Sequence, residues 1–104
     1  MIIYNTTFHL DDDIADEGVS WLKSVFVPQA VASGFLLRPS LRQVIQTVED
    51  EGQSVALQFH VKNMETLDYW LEREGQVLLQ QLMAQFGAKV AGFSTILEEI
   101  SLDE

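Results

Sequence analysis

The chain has 104 residues and a formal net charge of −10, from 16 acidic against six basic side chains, and it contains no cysteine. Such a charge repels nucleic-acid phosphates and anionic membrane surfaces, while the absence of thiols removes disulfides, thiolate metal sites and thiol catalysis. The length suits a single domain over residues 1–104, able to bury roughly 60–70% of its unfolded surface.

No apolar run approaches the ~20 residues of a membrane span, and no basic-then-apolar leader precedes the first strand. The expectation is a soluble, cytoplasmic protein. The acids form three groups, Asp11 to Glu17, Glu49 to Glu51 and Glu98 to Glu104. They read as solvated turns and a helix start, because no Asp-x-Asp-x-Asp-Gly loop accompanies them. Neither a metal nor a cofactor is expected.

IIYNTTFHL, residues 2–10, is rich in β-branched and aromatic side chains and puts Ile2, Tyr4, Thr6, Phe8 and Leu10 on one face of a strand. Asp11 to Asp13 are candidate helix caps. The helix that follows carries Ala15, Val19, Leu22 and Phe26 on one stripe, widened by Trp21 and Val25. Pro28 is expected to break or kink it after Val27, and Gly34 to close a short further turn.

From Phe35 to Val48 the chain reads as extended, with Pro39 requiring an edge strand or a bulge. The apolar phase shifts along it, which predicts a bulge between Leu41 and Val44. EDEGQ, residues 49–53, forms a turn, and SVALQFHV alternates cleanly, with Val55, Leu57, Phe59 and Val61 opposed to Ser54, Ala56, Gln58 and His60. Asn63 caps a second helix with Met64, Leu67, Leu71, Leu78, Leu82 and Phe86 toward the core. Trp70 falls about 100° off that stripe, a place at the core's edge near Trp21. Gly87 ends this helix, and KVAGFSTILEEIS makes a last strand.

The order βαββαβ is that of a ferredoxin-like fold, an α+β architecture with a four-stranded antiparallel sheet and two helices on one face. The other face is then bare. It would carry Asn5, Thr7, His9, Gln58 and His60, joined by Arg38, Ser40 and Arg42 if the bulge allows. Such a mixed face fits a two-fold homodimer, an α/β-barrel of two sheets around a partly polar interior. Asn5, His9, Arg38, Arg42, Gln58, His60 and Trp70 are the candidate ligand-binding residues, with the two arginines suited to a small anionic ligand. His9 and His60 lie near opposite ends of antiparallel strands, roughly 13–20 Å apart, too far to share a metal within one protomer.

MIIYN, HVKNMETLDYWLE and FGAKVAGFSTILEEI resemble, over nearly the whole chain, a small family of bacterial proteins known as a domain of unknown function. The resemblance implies a ferredoxin-like, dimeric α/β-barrel type of fold and carries over no site. A broader superfamily of this architecture includes cofactor-independent and haem-degrading monooxygenases. Asn5 and Trp70 resemble an asparagine and a tryptophan of the haem-degrading members, but Gln80 stands where those have the haem-binding histidine, and an amide does not replace it. Three functions follow as expectations. They are a small-molecule-binding or regulatory module on the polar sheet face, an oxygenase-like or isomerase-like enzyme with His60 or His9 as base, and an acidic protein-interaction module.

Overall fold

A computed structural model describes residues 1–45 and 51–103. Strand β1 (Ile2–Leu10) is followed by a 3-10 turn at Asp12–Ile14 and then by helix α1, a continuous run of Ala15–Trp21, Leu22–Phe26 and Val27–Ala32. Strands β2 (Leu36–Gln43) and β3 (Gln53–Val61) come next. Helix α2 joins Met64–Trp70, Leu71–Gly75 and Gln76–Phe86, and β4 (Val90–Glu98) follows a second 3-10 turn. The sheet order is β2-β3-β1-β4, with every neighbouring pair antiparallel. This is the ferredoxin-like fold expected.

One face of the sheet and both helices make the core. Tyr4, Phe8 and Leu10 alternate inward with Val55, Leu57, Phe59 and Val61, all buried. Edge-to-face pairs fix which elements meet: Phe8 stacks on Phe26 of α1, and Tyr4 on Trp70 of α2. The two helices therefore lie on the same side. Thr6 is the buried polar exception among the described residues, and its hydroxyl shares a 2.9 Å hydrogen bond with Ser94 across the β1–β4 ladder. Among the described residues no helix is long and apolar enough to cross a membrane.

Both helices contain a π-helical turn that the 3.6-residue period does not reveal, at Leu22–Phe26 and at Leu71–Gly75. In α1 the buried positions Gly18, Leu22, Phe26 and Ala30 recur in fours, wider than an α-helix keeps in line. A wider turn absorbs that drift. It ends at Phe26, and Pro28 continues the helix instead of breaking it, as the second residue of the segment Val27–Ala32. Gly34 does take the left-handed conformation expected, at φ 82°.

Three further expectations change. No Asp11 side-chain cap forms; the 3-10 turn intervenes, closed by Ile14 N–H donating to the Asp11 carbonyl at 3.1 Å. The bulge lies at Arg38 and Pro39, between Leu37 and Ser40, whereas Leu41 to Gln43 pair regularly with β3. Proline has no N–H to give a ladder, so the irregularity falls where the donor is missing. Met64, assigned to the core stripe, is 42% exposed. The expected strand residue Val48 and the start of the turn at Glu49 lie outside the described residues.

Candidate functional site

The strand register writes out the open face as rows running across the sheet. One row is Leu37, His60, Ile3 and Leu97; the next is Ser40, Gln58, Asn5 and Thr95. A third holds Arg42, Ala56, Thr7 and Phe93, and a fourth pairs Ser54 with His9 and Ala91. Cross-strand partners point to the same side of a pleated sheet, so these residues share one surface.

A polar band crosses its middle. Arg42 Nη1 donates to Ser40 Oγ and, at 3.4 Å, to Gln58 Oε1. Asn5 Nδ2 donates to Thr7 Oγ1 at 3.4 Å, while Asn5 Oδ1 is buried without a hydrogen-bond partner among the described residues. An unpaired buried acceptor costs free energy until a donor reaches it. Apolar side chains border the band, with Leu37, Phe93 and Leu97 exposed to 38%, 66% and 42%.

The structure gathers only part of the candidate set. Asn5, Gln58 and Arg42 come together. His9 and His60 share the face but stand six residues apart along β3, where His9 pairs with Ser54, or roughly 20 Å at ~3.3 Å per residue. His60 sits between Ile3 and Leu37. Arg38 is exposed in the bulge with φ 50°, outside the register that sets Arg42 beside Gln58. Trp70 lies on the other side of the sheet, in the core. It packs on Tyr4 with ring centroids 6.3 Å apart, whereas Trp21, its expected neighbour, stacks on Phe26. Among the described residues no three His, Asp or Glu side chains gather as a metal ion would require.

Residues 1–100 match the family described as Domain of unknown function (DUF4286). The chain belongs to this family. No curated protein matches it. Solved structures similar to the DUF4286 chain include HapK from Hahella chejuensis, at TM-score 0.73 and 12% identity, covering 100% of this chain and 97% of that one. An antibiotic biosynthesis monooxygenase follows at 0.70 and 13%, covering 97% and 100%. A dimeric ferredoxin-like protein from an uncultured marine organism gives 0.64 and 16%, with 97% of each chain covered. At these identities the likeness is one of fold, and fold alone does not carry function.

The surroundings of His9 were not legible in the sequence. Its Nδ1 lies 3.0 Å from Ser54 Oγ, and its ring sits so close to Gly52 that a Cβ there would fall 2.6 Å from Nε2. Gly52 has φ 89°, so both its backbone and its bare Cα suit glycine. The glycine was visible in the sequence, but its contact with His9 exists only once β1 and β3 are in register.

Proposed function

We propose that this DUF4286 protein is a cytoplasmic homodimer in which two open sheet faces meet, and that the polar band between them binds a small anionic ligand. The single observation that carries the reading is the composition of that face. Exposed Leu37, Phe93 and Leu97 flank a band holding Arg42, Gln58 and the Asn5 acceptor, which has no partner among the described residues. Apolar borders favour contact with a second copy, and the polar centre then needs an occupant or a complementary partner group. A two-fold axis through the face would place a second Arg42 in the same interior, supplying two guanidinium groups for an anion. The ferredoxin-like neighbour described as dimeric supports the assembly by analogy. A small-molecule-binding or regulatory role fits this arrangement better than an enzyme, because neither histidine falls in the rows that hold Asn5, Gln58 and Arg42.

Sedimentation at micromolar concentration tests the assembly, with about twice the 11.8 kDa chain mass expected. Phe93→Glu should yield folded monomer. Arg42→Ala should leave the dimer intact and abolish retention of any small anion seen by native mass spectrometry. A wild-type chain that stays monomeric to millimolar concentration overturns the reading.

A further inference from the structure

A second concavity lies away from the open face, where the C-terminal end of α1, the entry to β2 and the first half of α2 meet. It encloses about 330 Å³ and is lined by Ser33, Phe35, Tyr69, Trp70, Arg73 and Glu74, a size at the lower end for small-molecule sites. Phe35 and Tyr69 form one wall, edge to face at 5.4 Å, with 37% and 44% of their surfaces exposed. The Arg73 guanidinium lies 4.3 Å over the Tyr69 ring.

Arg73 and Glu74 are successive residues of the π-helical turn, border the same cleft, and form no ion pair among the described residues. The stacked guanidinium keeps its in-plane donors available. The end of α1 adds the negative end of a helix dipole at Ser33. One small cleft thus offers a cation, an anion and an exposed aromatic wall, in a helix irregularity of a kind frequent at functional sites.

We infer that this cleft binds an α-amino acid with an apolar, preferably aromatic, side chain. Arg73 takes the carboxylate, Glu74 and the end of α1 take the ammonium, and Phe35 and Tyr69 receive the side chain. Neither charge alone explains the lining, since a simple anion would meet Glu74 and a simple cation would meet Arg73. The inference is independent of the dimer.

Trp70, behind the wall, is the reporter. Trp21→Phe leaves it the chain's sole tryptophan, because the sequence has two. L-Phenylalanine should shift its fluorescence and its indole N–H resonance saturably, at or below about 1 mM. Hydrocinnamate, which lacks the ammonium, and phenethylamine, which lacks the carboxylate, should each bind at least about tenfold more weakly. Arg73→Gln should erase the preference over phenethylamine alone, and Glu74→Gln the preference over hydrocinnamate alone. The absence of a saturable shift up to about 10 mM, equal binding of the three compounds, or discrimination unchanged in both variants overturns the inference.

Discussion

The indole of Trp70 lies against Gly75, five residues on in the same helix, so closely that a Cβ on Gly75 would fall 2.7 Å from Cζ3 and 3.0 Å from Cε3. The π-helical turn between them explains the contact. The buried positions of α2 run Leu67, Trp70, Gly75, Leu78 and Leu82, with one step of five among steps of three and four. The wide turn keeps that stripe on one face by bringing Gly75, Leu78 and Leu82 into line with Leu67 and Trp70, and the position above the ring carries no side chain.

Gly75→Ala should therefore destabilise the protein, although alanine in a helix interior normally gains ~1 kcal/mol over glycine. Trp70 is 1% exposed and held against the Tyr4 ring. Overpacking of about 1–3 kcal/mol should outweigh the propensity gain. Urea denaturation of the two proteins measures the sign, and a more stable variant would mean that the indole can move.

Asn63 accepts hydrogen bonds at Oδ1 from Thr66 N–H at 2.9 Å and from Thr66 Oγ1 at 2.8 Å. It caps α2 as its sequence position implied. Asn63→Ala should cost about 1 kcal/mol, and Asn63→Asp should keep most of it. Thermal melts of both variants separate the cap from any effect of side-chain size.

Lys89 donates to Asp13, linking the turn before β4 to the turn before α1. The hydrogen bond from Lys89 holds the Asp13 carboxyl below its ordinary value of 3.8, and the reciprocal bond holds Lys89 above 10.5. For the depressed acid, the contribution to stability is present above pH 3.8 and is lost as pH falls through the lowered value; for the raised base it is present below 10.5 and lost as pH rises past the raised one. Both groups are exposed, so salt should weaken the pair. A carboxyl NMR titration should show the Asp13 midpoint moving up in Lys89→Met, and also in the wild type at about 1 M salt. An unmoved midpoint in Lys89→Met would show that the pair does not persist in solution.

The alternation of β1 and β3, the Asn63 cap and the order of six elements were legible in the sequence because each depends on a local period or a single backbone requirement. Val55, Leu57, Phe59 and Val61 point inward in any sheet that buries one face of that strand. The place of the bulge was not legible, since an apolar phase shift is spread over several residues whereas the break falls at Arg38 and Pro39, set by which ladder donor is missing. The burial of Trp70 escaped the helical period for a related reason: the π-helical turn at Leu71–Gly75 shifts the residues after it, so that Leu78 and Leu82 fall in line with Leu67 and Trp70, and only packing against Tyr4 and Gly75 shows that the turn is there. At the open face the sequence supplied the residue types by parity along each strand. Which of them meet was decided by register, which brings Arg42 to Gln58 and His9 to Ser54 and holds the two histidines apart. The cleft beside Tyr69 is tertiary in its closure, because Ser33 and Phe35 join Tyr69, Arg73 and Glu74 only when α2 packs across the entry to β2.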